Sequence, residues 1–240
     1  MSSAPALARF SLALTSEEYE FRELAERFCA MAGAVGVRLL PYTEGSLNKF
    51  RGLSEDQRIL KLAGFKTYFE CCERATRAGV GLNDGIGLLK SVLADLGLRV
   101  SAETLSYLSD EDVIEVYRCD LTQLFRNLRF LEICSYPLMD LYVNEWPELY
   151  RRPHVLTQAI IDEFLQLRAS GSDRPLMSRL PEHFLEEIFS PGRHKFYIRQ
   201  KILAPILDQD NQMVGVVSSL RANLLKESEA NYSNVKPLSL

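Results

Sequence analysis

Residues Ile202–Val217 read ILAPILDQDNQMVGVV, two apolar runs separated by the polar residues Asp208 to Gln212. Asp and Asn favour tight turns because their short side chains bond to nearby backbone. The flanking runs are short and rich in Ile, Leu and Val, so the stretch is read as two antiparallel strands around a turn. Upstream, Phe196, Ile198, Gln200 and Ile202 alternate with Lys195, Tyr197, Arg199 and Lys201, the period of a half-buried strand. The first strand of the hairpin therefore begins near Lys195. A chain ending this way is not all-helical, and its class depends on what comes before.

Moving toward the N-terminus, PEHFLEEIFSPG (181–192) is expected to form a short helix, and SGSDRP (170–175) a loop. HVLTQAIIDEFLQLRASG (154–171) carries Val155, Ile160, Ile161, Phe164, Leu165 and Leu167 at helical spacing, with Gly171 as its stop. EWPELYRRP (145–153) suggests a short helix ended by Pro153. RFLEICSY (129–136) and LMDLYVN (138–144) are short enough for strands, although periodicity alone also admits helix.

The first half reads as mainly helical. Thr15 or Ser16 opens a helix that closes near Gly33, and Ser54 opens a longer one that stops at Gly79. Further helices are expected over 83–97, from Ser101, and from Ser109 through SDEDVIEVYRCDLTQLFRN (109–127). Residues 8–14 and 36–42 are expected as short strands, and TEGSLNKFRG (43–52) as a loop. The fold class expected is α+β: a mainly helical domain over 1–124, an α+β domain over 125–225 with an antiparallel sheet flanked by short helices, and a flexible tail over 226–240.

Composition bounds the function. The 240 residues are 47% apolar and 25% charged with a net charge of −4, an ordinary globular balance. That charge argues against a general nucleic-acid surface, which needs concentrated Lys and Arg. The N-terminal apolar stretch is interrupted by Arg9 and soon followed by acids, so neither a signal peptide nor a membrane anchor is expected. Five cysteines without a C-x-x-C pair fit reduced thiols, and the expected location is the cytoplasm.

Two segments, APILDQDNQMVGVVSSLR (204–221) and LYVNEWPELYRRP (141–153), together resemble a PAS domain, the sensory and interaction module. The C-terminal segment is similar to that family's closing hairpin, with a Pro-containing apolar strand, an acidic turn and a Gly-containing return strand. The N-terminal segment is similar to its early strand ending in Asn, here Asn144, before a short helix. After the last strand the family often has an acidic residue followed by Ile and Thr, where this chain has Arg221-Ala222-Asn223. The resemblance covers roughly Phe125 to Leu225 and implies a cavity between the short helices and the sheet.

The chemistry-bearing residues have plain readings. AGVGLNDGIGLLKS (78–91) has closely spaced glycines before Lys90-Ser91, but its spacing is that of neither phosphate loop and it follows a helix. A turn between helices accounts for it. His183, Glu186 and Glu187 would share one face of a helix, and a solvated face is favoured over a metal site. Cys71-Cys72 is read as small and buried, and no motif identifies catalytic residues, a metal or a cofactor.

Aromatic residues concentrate in the second half: Tyr136, Tyr142, Trp146, Tyr150, Phe164, Phe184, Phe189, Phe196 and Tyr197. Core packing explains each singly, and as a set they suit a small apolar ligand. The candidate pocket residues are Trp146, Phe164, Phe196, Ile198 and Ile202. The function expected is sensory or regulatory: a PAS-like domain binding a small molecule or protein partner and signalling through protein contacts. The alternatives are a dimerisation module with a filled core and, further off, an enzyme of unrecognised type. A homodimer is expected from the apolar segments RFLEI (129–133) and VIEVY (113–117), with neither nucleic acid nor membrane as a partner.

Overall fold

The computed structural model describes residues 15–225; the strand expected over 8–14 and the tail from residue 226 lie outside them. Helix α1 (Ser16–Ala34) starts where the Thr15 hydroxyl accepts from the Glu18 amide at 3.2 Å. Residues 36–42, expected as a strand, form none. Instead the Leu40 and Pro41 carbonyls accept from the Leu138 and Met139 amides, at 2.8 and 3.0 Å. The expected loop over 43–52 is helix α2 (Glu44–Gly52), because Thr43 and Ser46 form a reciprocal capping box with Ser in the place usual for Glu or Gln.

Helix α3 (Glu55–Arg77) is opened by a second box, Ser54 with Gln57, and buries Leu62, Phe65, Tyr68, Phe69 and Cys72. Gly79, at φ +89°, turns the chain into helix α4 (Gly85–Asp95), which is capped by Asp84 in place of Asn83. Ser101 caps the short α5 (Ala102–Tyr107). Helices α1, α2 and α3 share an aromatic core in which Phe21 meets Phe50 edge-on and stacks on Phe65 at 5.0 Å between ring centres.

The helix expected from Ser109 does not form. Residues Val113–Arg118 are strand β1 and Gln123–Arg126 strand β2, paired antiparallel. Strand β1 is nearly all buried, so the period-two alternation that would have marked it is missing from its sequence. The two segments left open as strand or helix are helices α6 (Leu128–Ile133) and α7 (Leu138–Val143). Consequently Asn127 is the asparagine that ends a strand and opens a short helix, whereas Asn144 follows a helix. The short α8 (Trp146–Leu149) and the two-residue β3 (Tyr150–Arg151) lead to α9 (His154–Ser170), closed by Gly171 at φ +58°.

After the two-residue β4 (Leu176–Met177), the helix expected at 181–192 is instead strand β5 (His183–Glu187). Its alternate residues His183, Leu185 and Glu187 are buried, with Phe184 exposed between them. The closing hairpin is formed as the sequence indicates, by β6 (Lys195–Leu207) and β7 (Met213–Leu224). At its turn the Asp208 carboxylate accepts from the Asp210 and Gln212 amides at 2.9 and 2.8 Å.

The fold is α+β. The antiparallel sheet runs β2-β1-β7-β6-β5-β3, with β4 beside β6. Because β1 pairs with β7 near the middle of this order, the sheet begins at Val113, and the boundary expected after residue 124 falls within β2. Apolar residues of α1, α3 and α4 form one continuous core with Ile114, Val116, Ala204 and Val217 of the sheet. Val113, Ile114, Val116, Phe130 and Leu131 are all buried in it. The segments from which a dimer was expected are thus used inside the chain.

Candidate functional site

Successive strand residues point to opposite faces, and one face of the sheet lines a cavity of about 390 Å³. Strand β1 contributes Val113, Glu115 and Tyr117, and β7 contributes Val216, Ser218, Leu220 and Ala222. Helix α9 closes the opposite side with Ile160 and Phe164, while Trp146 and Pro147 of α8 stand at one end. Most of the lining is apolar.

Of the candidate pocket residues, Trp146, Phe164, Phe196 and Ile198 line this space, and Ile202 does not. The register of β6 against β7 slips between Gln200 and Ile202, so an extra residue enters and the alternation reverses. Ile202 turns into the core and Leu203 takes the place toward the cavity. Tyr150 also lines it. Tyr136 is a structural tie instead: it donates to the Leu149 carbonyl and accepts from the Ile188 and Phe189 amides at 2.9 and 3.2 Å. Tyr142 packs against Phe65 and Phe21, and Phe189 is exposed.

The polar wall was not foreseen, because its residues lie in the segment read as helix. The Arg126 guanidinium, 2% exposed, bonds through Nε to Glu115 Oε1 at 3.1 Å and through Nη2 to the Tyr117 hydroxyl at 3.1 Å. Tyr117 in turn donates to Glu115 at 2.7 Å, and Phe130 lies beneath the guanidinium at 4.4 Å. Burying an ion pair costs less where hydrogen bonds share its charge, and here Arg126 and Tyr117 both bond to the one Glu115 oxygen, Oε1. Arg126 and Tyr117 also line a further cavity of about 310 Å³ bounded by α3 and α7, so the cluster forms a partition between two spaces.

Two further polar groups enter the main cavity. Gln200, 7% exposed, donates its amide to the Ile202 and Ser219 carbonyls and to the Ser218 hydroxyl. The Arg152 guanidinium carbon lies over the Trp146 ring, 4.7 Å from its centre. Burial lowers the Arg152 pKa from its usual value, partly opposed by the nearby Glu115 charge.

The residues weighed for a metal fall on β5, where Glu186 faces away from His183 and Glu187. Glu187 accepts from the Ser135 and His194 amides, at 2.8 and 3.0 Å, and from the Ser190 hydroxyl at 2.5 Å. Its carboxylate closes the loop between β5 and β6. Cys71 and Cys72 are buried on α3, and burial pushes both thiol pKa values up.

No protein-family model matches the chain, and no curated protein matches it. Among solved structures, an RNA-binding light-oxygen-voltage receptor aligns over 87% of this chain and 64% of its own, with 13% identity and a TM-score of 0.32. The chain thus spans less than two thirds of that receptor's length. RNA binding and light-oxygen-voltage sensing are stated of that receptor.

Proposed function

We propose that this chain is a sensory or regulatory module in which a PAS-like α+β unit binds a small, largely apolar molecule and signals through protein contacts. The observation that carries this reading is the cavity of about 390 Å³ between the sheet and α9, a volume within the usual range of about 300–1,000 Å³ for small-molecule sites. The way α9 is attached adds support. Only Leu167 of its 17 residues is buried, while Val155 and Leu165 are 70% and 51% exposed. Its polar tether is Glu163, which accepts from the Ser178 hydroxyl at 2.8 Å and the Arg179 amide at 2.7 Å. An element held this lightly moves at small free-energy cost, and its exposed apolar side chains suit a partner protein.

Mass spectrometry of the purified protein under native and denaturing conditions tests this reading, together with its absorption spectrum. A bound small molecule released on denaturation supports it. A chain that carries nothing and whose single tryptophan, Trp146, shows no fluorescence response to a broad ligand library overturns it.

A further inference from the structure

We infer that the cavity is built for an amphipathic carboxylate, with the apolar body of the ligand against Phe164, Phe196 and Ile198 and its carboxylate on Arg152. This rests on the ligand-binding reading above and names the chemical class of the ligand. The first ground is charge. Three charged residues line the cavity: Glu115, Arg152 and Arg168. Glu115 is already neutralised by Arg126, which leaves two arginines facing an otherwise apolar space. A neutral or cationic ligand would meet the same apolar walls without using that excess.

The other ground is the state of Arg152. Among the described residues its guanidinium makes neither hydrogen bond nor ion pair, whereas the neighbouring Arg151 pairs with Glu186. The Trp146 face satisfies a cation from one side only and leaves the N–H donors at the guanidinium edge free. Burial that disfavours the charge is relieved when an anion arrives. A carboxylate suits those donors because its two oxygens match the planar fork in pairs. Gln200 offers the carboxylate no donor, because its side-chain N–H groups are used within the sheet.

The test compares three probes with the same apolar tail, octanoate, octanol and octylamine, by titration calorimetry with Trp146 fluorescence as an independent readout. Octanoate should bind at one site and at least about tenfold more tightly than octanol, since a charged hydrogen bond is worth at least that factor. Octylamine should be the weakest. Arg152→Gln should bring octanoate down to the affinity of octanol while leaving octanol within about twofold of its original value. Arg152→Lys, which keeps the charge and loses the fork, should fall between. Thermal unfolding of each variant identifies loss of fold, and if Arg152→Gln unfolds, Arg152→Lys and the three-probe ranking decide alone. Equal binding of octanoate and octanol, unaffected by Arg152→Gln, overturns the carboxylate assignment and leaves the ligand-binding function standing. A copurifying neutral or cationic metabolite does the same, and absence of binding by all three probes overturns the assignment.

Discussion

Asn127 and Ile114 are bonded to each other twice: the Asn127 amide donates to the Ile114 carbonyl at 3.0 Å, and the Ile114 amide donates to the Asn127 side-chain oxygen at 3.1 Å. The same side chain donates to the Asp112 carbonyl at 2.7 Å and caps α6 by accepting from the Phe130 amide. One buried residue therefore fixes the end of β2, the start of β1 and the first turn of a helix. Replacing it leaves at least one buried backbone donor and one acceptor unpaired. Asn127→Ala is expected to cost about 2–4 kcal/mol, and urea unfolding should show the lower midpoint. Asn127→Asp keeps the acceptor but sets a carboxylate against the Asp112 carbonyl, and should be no more stable than the alanine variant.

Gly215 sits in β7 between Arg118 of β1 and Ile206 of β6. A Cβ built there would lie 2.4 Å from the Tyr117 carbonyl oxygen, a backbone atom with little room to retreat. Gly215→Ala is expected to destabilise by about 2 kcal/mol, and Gly215→Val by more, because the strands must part to admit them. Thermal unfolding of the two variants measures this. A Gly215→Val protein with unchanged melting temperature would contradict the close approach of β1 and β7.

How far the sequence discloses this molecule depends on the burial of each strand. The hairpin around Asp208–Gln212 is legible because its turn is polar and the front of β6 alternates, with Arg199 left in solvent. Strand β1 is hidden because Ile114 and Val116 are buried on one side and Val113, Glu115 and Tyr117 on the other, so its sequence has no polar face to reveal a period. The Ser-Asp-Glu-Asp run before it resembles a helix cap. In the structure Asp112 is instead a buried hub that accepts from the Ser109 amide and pairs with Lys201 and Arg221. Both cations lie far along the chain, which local reading does not reach. Trp146, Phe164, Phe196 and Ile198 are legible as a set because their chemistry is apolar and the helix and strand that carry them are strongly patterned. Ile202 is lost to a single bulge, a feature with no signature in LAPIL or RQKI.

The Glu115–Arg126 pair carries its own test. Removing one member strands the other's charge in the partition between the two cavities, so Arg126→Met should cost about 3–5 kcal/mol. Exchanging both members, Glu115→Met with Arg126→Met, removes both charges and should cost less than the sum of the single changes. The comparison is a double-mutant cycle in urea, with Tyr117 retained throughout. Strict additivity would mean that the two side chains, 3.1 Å apart here, do not interact in solution.

Phe164 offers the most direct probe of the cavity and of α9 together. It is part buried, packs against the cluster of Tyr117, Leu167, Leu203 and Val216, and lines the cavity between α9 and the sheet. Phe164→Trp adds ring volume where there is room for it, so the apo protein should gain about 1 kcal/mol in stability while losing affinity for any molecule that uses the same space. Because the variant contains two tryptophans, binding is best followed by calorimetry. Hydrogen exchange adds the dynamic half of the test. In the parent protein the amides of α9 should exchange faster than those of β6 and β7, given one buried side chain against a strand pair buried along most of its length. Ligand should slow the exchange of α9 in the parent, and Phe164→Trp should reproduce that protection without ligand. A Phe164→Trp protein destabilised by more than about 1 kcal/mol would mean that the space between α9 and the sheet is already filled in solution, and the sensory reading would lose its support.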